Sequence, residues 1–299
     1  MTMAKRKKAT NTLHEWQVDA LNAAVSTNAA IEGDDAANGT STPSVRMNNN
    51  TQISTKYAVV TDTQIAVDSA GRDNEMSYQI AKRLGELKRD MESNLTQNGG
   101  STAGGAASAR TSAGLESWLT STTGNANITH SGNSTSIGTG GNYTTPGFSS
   151  GGFAGPTDAS TAATFTVTPL KHVIANCWTD GGNPGIIMVG GTQKQTVSGF
   201  AGIATLYREA GATAKGTAIV GAADIYISDF GEHRIVPNRF QRNRTAFVLD
   251  MDYWSVAYLR KVSQKEIART GGSEKRFIDV EYCLVAEYPG SSAKVADLV

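Results

Sequence analysis

The sequence predicts an α+β fold made of separate, thin layers. Three observations predict it: one long helix between about residues 70 and 98, long alternating strands after residue 217, and polar β-type composition near 46–68. A helix of this kind lies on sheet rather than on other helices. The 299 residues suit one large domain or two modest ones. An apolar fraction of 39% and a charged fraction of 18% are both low, which points to a thin or divided core.

Residues 1–11 read as a flexible tail carrying Lys5, Arg6, Lys7 and Lys8. From 12 to 30, Leu13, Trp16, Ala20, Leu21, Ala24 and Val25 recur at helical spacing and predict a short amphipathic helix. A polar, small-residue segment runs on to about Pro43. Strands are expected near 51–60 and 62–68, too polar to form a core alone, so they read as a projecting hairpin.

The long helix opens at Asp73 or Asn74, either of which can cap it. Met76, Ile80, Leu84, Leu87, Met91 and Leu95 then form one apolar stripe. Lys82–Glu86 and Lys88–Glu92 are expected as i,i+4 pairs on the wet flank. Gly99-Gly100 is expected to end the helix. The stripe is narrow, which suits a helix lying across a sheet.

A second short helix is expected at 108–120. Of the 44 residues from 121 to 164, 35 are Gly, Ser, Thr, Asn or Ala, a composition that would be disordered in isolation. Tyr143, Phe148 and Phe153 give it handholds, so it reads as a surface loop ordered on a neighbouring surface. Leu170, Val173, Ile174, Cys177 and Trp178 predict a helix broken at Asp180-Gly-Gly-Asn-Pro. "GIIMVG" reads as a buried strand. Strands dominate from 217 onward: "TAIVGAADIYISDFG", "HRIVPNRF", "TAFVLDMDYWSVAYLR" and "RFIDVEYCLVAEYP". In the last, Ile278, Val280, Tyr282, Leu284 and Ala286 share one face, and Asp279, Glu281, Cys283, Val285 and Glu287 share the other.

Motifs for chemistry are scarce. His14, His130, His172 and His233 have no metal-ligand spacing to one another or to Cys or carboxylates. No Gly-x-Ser-x-Gly elbow occurs, and "VSGFAG" around Ser198 is a weak echo. "VGGTQKQT" lacks the Gly-Lys-Ser/Thr of a phosphate loop and reads as a strand-to-helix turn. Asp250 and Asp252 would point the same way on a strand; the plain reading is a polar strand side at an interface. Neither a metal nor a cofactor is expected, and the chain does not read as an enzyme. Cys177 and Cys283 stand far apart and read as reduced, buried thiols.

Zero net charge creates no whole-protein field toward nucleic acid or an anionic membrane. The basic start lacks the apolar run of a secretory signal, and no run approaches the roughly 20 residues of a membrane span. Two basic groups, Lys5 to Lys8 and Arg234, Arg239, Arg242 and Arg244, are candidate subunit or DNA contacts. Aromatics do not interleave with them, so base stacking is not indicated. The outlying pieces are each too thin to bury their own apolar face, which calls for neighbouring subunits.

Four stretches resemble, in order, the tailed-phage major capsid proteins of the Hong Kong 97-type fold. "RMNNNTQISTKYAVVTDTQIAVDSAGRDNEMSYQIAKRLGELKRDMESNL" is similar to their extended loop and spine helix. "ARTSAGLESWLTS" is similar to the short segment that follows, and "PLKHVIANCWTDGGNPGIIMVGG" to the entry into their axial domain. "EYCLVAEYPGSSAKVADLV" is similar to the closing strand and tail.

The resemblance implies an N-terminal arm (1–44), an extended β-hairpin loop (45–70) and a peripheral domain with spine helix (71–120). The Gly/Ser/Thr-rich insertion or surface loop (121–164), an axial domain (165–235), and peripheral strands with the C-terminal tail (236–299) would follow. It implies pentamers and hexamers of an icosahedral head around double-stranded DNA, bound non-specifically. Portal, scaffold or decoration proteins are the further partners implied, with no membrane. The place implied is the virion capsid, assembled in the host cytoplasm. Some relatives cross-link a lysine to an asparagine; Lys56 has no motif beside it for this, and no cross-link is expected. The alternatives are an encapsulin-like non-viral shell, or a soluble carbohydrate-binding module or enzyme.

Overall fold

The computed structural model describes residues 3–19, 24–33, 44–67, 71, 74–119, 128–130, 158, 162, 164–200, 224–269 and 271–299. The expected loop at 121–164 therefore falls almost wholly outside the described residues.

In chain order the strands are β1 (Lys5–Lys8), β2 (Leu13–Val18), β3 (Val45–Asn50), β4 (Gln52–Thr61) and β5 (Ile128–His130). They continue as β6 (Ile186–Val189), β7 (Ile225–Ser228), β8 (Gly231–Pro237) and β9 (Ala246–Leu249). The last are β10 (Trp254–Ile267), β11 (Ser273–Ala286) and β12 (Ala293–Ala296). The helices are α1 (Asp62–Ala66), α2 (Glu75–Thr96), α3 (Leu115–Trp118), α4 (Val167–Thr179) and α5 (Gly191–Ser198).

Among the described residues three sheets result. A four-stranded sheet has the order β1-β10-β11-β4, a six-stranded one β5-β12-β9-β6-β8-β7, and β2 pairs β3. One stretch of chain serves both large sheets. The expected continuous strand over 245–260 is broken by a 3-10 turn at Met251–Tyr253, which separates β9 from β10. Asp250 Oδ1 accepts from the Asp252 N–H at 3.1 Å and caps this turn. Asp250 Oδ2 accepts from the Asn183 N–H at 3.0 Å. The two aspartates are thus a joint between sheets, not two carboxylates on one strand face.

The helix α2 is capped by Asn74, whose Oδ1 accepts from the Ser77 N–H at 3.0 Å. It lies over β4 and β11, as its narrow stripe predicts. Leu87, Met91 and Leu95 enter the main core with Trp118, Trp254, Ile278, Val280 and Tyr282. Met76 packs instead on Ala58 and Val60, while Ile80 and Leu84 are half-buried. The helix ends at Thr96, before the glycine pair, because Gln97 takes an extended conformation. Its flank pairs also differ: Glu86 binds Arg83 at 2.7 Å, and Glu92 accepts from Asn238 at 2.9 Å. A second core gathers α4 on the other sheet: Leu170, Val173, Ile174 and Cys177 meet Ile187, Val189, Val248 and Val295.

Four local expectations are corrected. Lys5–Lys8 is not a loose tail but a parallel edge strand on β10. The helix expected over 12–30 is a strand at Leu13–Val18, because "HEWQV" also alternates and β3 offers it a hydrogen-bonding partner. Trp16 seals that choice by donating its Nε1–H to the Ala286 carbonyl at 2.9 Å and packing on Trp118. The hairpin expected over 51–68 does not form. β4 pairs along ten residues with β11 instead, from Thr61 opposite Ser273 to Gln52 opposite Tyr282, and the second half turns into α1. The helix expected at 108–120 is only Leu115–Trp118: Gly114 caps it in an extended conformation, and Ser108 and Thr111 are held in bridges to Gly105 and Thr102.

Candidate assembly surfaces

β10 and β11 form a 14-residue antiparallel hairpin, on the order of 45 Å long at about 3.3 Å per residue. With β4 it makes a tongue that α2 covers on one face. On the other face Ile53, Tyr57 and Val59 are exposed, and Tyr57 packs its ring on Phe277 at 5.1 Å. Isolated exposed apolar residues are ordinary, but a stripe on one sheet face marks a contact surface.

Beside that stripe lies a charge cluster. Register shifts on either side of Arg260 bulge β10 and turn this side chain onto β11. Its guanidinium binds Asp279 and, at 2.8 Å, Glu281. Arg110 reaches Glu281 at 2.6 Å, Thr51 donates to it at 2.9 Å, and Lys265 lies 3.5 Å from Asp279. Burial works against ionising both carboxyls, but Ser263 and Arg260 on Asp279, and Arg260 and Thr51 on Glu281, outweigh it and hold both below the usual range. The alternation of acid and apolar residues in 276–288 was the legible signal for this cluster; the arginines were not foreseen.

At the far end of the six-stranded sheet, Trp178 and Phe230 pack their rings 5.3 Å apart. Trp178 is 60% exposed and Ile227 69%, with Ile225 beside them, a second open apolar patch.

The candidate basic residues separate. Lys5 binds Asp252 at 2.9 Å and Lys7 binds Glu287 at 2.7 Å. Arg242 is taken up inside the chain by Glu116 at 2.9 Å and Asp158 at 2.7 Å. Arg244 meets Asp297 at 3.5 Å. Arg234 is exposed on β8. Arg6, Lys8 and Arg239 line a cleft of about 1320 Å³ between β1, α2, Val236–Phe240 and β10. Sequence reading noted these cations but could not see that they meet.

Buried polar groups that sequence reasoning missed lock these surfaces together. Asn49, within a plain polar run, donates to the Leu284 carbonyl at 2.7 Å and to Ser112 Oγ at 3.1 Å, and accepts from the Ala113 N–H at 3.0 Å. Lys294 is fully enclosed and donates to the Glu116 carbonyl at 3.0 Å; burial pushes its pKa down to about 8.

The histidines do separate jobs. His233 is buried between the Pro184 carbonyl and Ser228 Oγ. His172 is exposed and contacts Asn176. His14 lies on β2, and burial, then Lys7, lowers its pKa. His130 lies on β5. Among the described residues no group of three or more His, Cys, Asp or Glu could hold a metal ion, and no helix is long and apolar enough to cross a membrane. Cys177 and Cys283 are both buried free thiols, pushed up to about 12 by burial.

A family model described as SU10 major capsid protein matches residues 1–299. A curated major capsid protein of Escherichia phage Phieco32 is 37% identical over 92 residues, which is 31% of this chain. The match spans about a quarter of that relative's length, 26%. Among solved structures, the satellite phage P4 procapsid including its size determination (Sid) protein superposes with a TM-score of 0.59 at 8% identity, covering 100% of this chain and 86% of that one. A chain of the cyanophage A-1(L) capsid also gives 0.59, at 12% identity over 99% and 91%. The SrpI encapsulin complex of Synechococcus elongatus PCC 7942 gives 0.55, at 10% identity over 99% and 86%. Identities this low speak for fold alone, and the shared fold is the Hong Kong 97 type.

Proposed function

Because the chain belongs to the SU10 major capsid protein family, matching its model from end to end, we propose that it is the structural subunit of a phage head. Copies assemble into pentamers and hexamers of an icosahedral shell around double-stranded DNA, which they contact non-specifically. The reading is non-catalytic: the chain works by geometry. One observation carries it beyond the family. A single chain presents two separate open apolar surfaces, at Ile53/Tyr57/Val59 and at Trp178/Phe230/Ile227. A monomer gains nothing from leaving both in water, whereas a shell buries each against a different neighbour.

In this reading the tongue of β4, β10 and β11 lies over an adjacent subunit. The six-stranded sheet with α4 faces the symmetry axes, and the arm beyond Val18, whose first part pairs with β10 and β3 of its own chain, reaches along a neighbour. Many modest contacts then sum to a stable wall. Portal, scaffold and decoration proteins are further partners, and assembly takes place in the host cytoplasm.

Sedimentation and negative-stain microscopy of the purified chain test this. Shells, or five- and six-membered rings, are expected. A 31.4 kDa monomer at high concentration sinks it. The SrpI likeness keeps an encapsulin-like shell as the second reading. Shells from infected cells holding nuclease-protected double-stranded DNA favour a phage head, and shells holding a protein cargo favour the other.

A further inference from the structure

A serine and a histidine meet where β7 turns into β8. The two strands pair antiparallel with Ser228 opposite Gly231, so Asp229 and Phe230 form a two-residue turn. His233 pairs with Tyr226 across the strands, and their rings stack at 6.1 Å. The imidazole is 1% exposed. Its Nδ1 lies 2.5 Å from the Pro184 carbonyl and its Nε2 2.7 Å from Ser228 Oγ. A carbonyl only accepts, so Nδ1 carries the ring proton. Burial lowers the ring's pKa and favours the neutral form, which leaves Nε2 to accept from the Ser228 hydroxyl. A nucleophile, a base and an orienting group thus stand at the separations that general-base activation of a serine requires.

Two further details favour reaction over a plain turn. The Phe230 N–H donates to Oγ at 3.1 Å, so negative charge that develops on this oxygen meets a donor already in place. The competing acceptor of the hydroxyl proton, the Gly231 carbonyl, is farther away, at 3.2 Å. Ser228 is also partly open to solvent, on the wall of a pocket of about 60 Å³ shared with Lys171, Ile174, Tyr226, Ile227 and Phe230. At about 30 Å³ per water, this holds two waters or one acetyl-sized group.

We propose that Ser228 is an activated nucleophile that accepts a short acyl group from an ester, with His233 as its general base and the Pro184 carbonyl orienting that base. Oγ bonds to the ester carbonyl carbon while its proton passes to Nε2. The C–O bond to the leaving alcohol then breaks, and that oxygen takes the proton from Nε2. The products are acyl-Ser228, the free alcohol and a neutral imidazole. This reactivity goes beyond the shell role and does not depend on it, since all its groups belong to one chain.

The test uses p-nitrophenyl acetate on soluble full-length subunits. Intact mass and peptide mapping should find one fast acetylation at Ser228, ahead of the lysines. Ser228→Ala should abolish that fast phase, and His233→Gln should slow it on the order of a hundredfold, a general base's usual share. The rate should rise with pH through a midpoint below the ordinary histidine value of 6.5 and then stay level, because only the neutral ring accepts the proton. Ser228→Cys covers the case of a His233 variant that does not fold. The native thiols are buried, so iodoacetamide reads position 228 alone. With His233 as base, its alkylation should have a midpoint below the ordinary thiol value of about 8.5. A midpoint at or above that value overturns the proposal. So does acetylation confined to lysines, or an equal Ser228 rate in folded His233→Gln chains. Each of these results leaves Ser228 a turn residue only.

Discussion

Single buried polar residues set how firmly the subunit closes. Asn49 bridges β3, the 112–113 segment and β11 with four hydrogen bonds and is 0% exposed. Asn49→Ala strands a buried carbonyl and an amide, so roughly 2–3 kcal/mol of stability should be lost, read as a lower urea midpoint of the subunit. Asp279 and Glu281 predict the acid limb. Their folded pKa values lie below the ordinary values near 4, so between those limits the unfolded state binds more protons. Their contribution is complete above about pH 5 and drains as pH falls through the folded values. Asp279→Asn should flatten thermal stability against pH below 5, and an unchanged acid limb would refute the assignment. Lys294 works at the other end. Its folded value near 8 lies below the unfolded 10.5, so stability should rise with pH between them, and Lys294→Met should remove that slope.

At the scale of elements, α2 and its exit decide the peripheral layer. Leu87 is 1% exposed against β11, so Leu87→Asp buries an unpaired carboxylate and should cost several kcal/mol, leaving insoluble chain or no shells. Soluble subunits that form normal shells would contradict the packing. Gly114 tests the exit. A Cβ there would stand 2.2 Å from the Gln97 carbonyl oxygen, which is backbone and cannot swing aside. Gly114→Ala should cost about 2 kcal/mol or more by calorimetry. The stripe that places α2 on a sheet was legible, because 3.6-residue periodicity over six turns has few other readings. The strand at Leu13–Val18 was not. Its residues fit both periods, and only β3, nearly thirty residues away, breaks the tie. The hairpin expected over 51–68 failed for the same reason: β4 has a longer partner in β11 than any local turn could offer.

For the whole molecule, the two open apolar surfaces separate folding from assembly. Trp178→Ser with Phe230→Ser removes exposed rings, so subunit stability should move by no more than about 0.5–1 kcal/mol while shell yield falls sharply. Equal losses in both would mean that the patch belongs to the fold. The break at Met251–Tyr253 is the device that lets one chain feed two sheets, and Ser292 ties it by accepting from the Asp250 N–H and the Trp254 indole N–H at 3.0 and 2.9 Å.

The sequence by itself determined the α+β class, the long helix and its buried stripe, the helix and strand at 167–189, and the family. These are properties of local periodicity and of order along the chain. Tertiary structure alone decided which strand pairs with which, where Arg260 and Arg242 find their carboxylates, and that Arg6, Lys8, Lys88, Arg239 and Lys261 surround one cleft. The reason is physical. A side chain's period is written within a few residues, but partners separated by tens to hundreds of residues meet only when the sheets close, and charge acts through that distance in space.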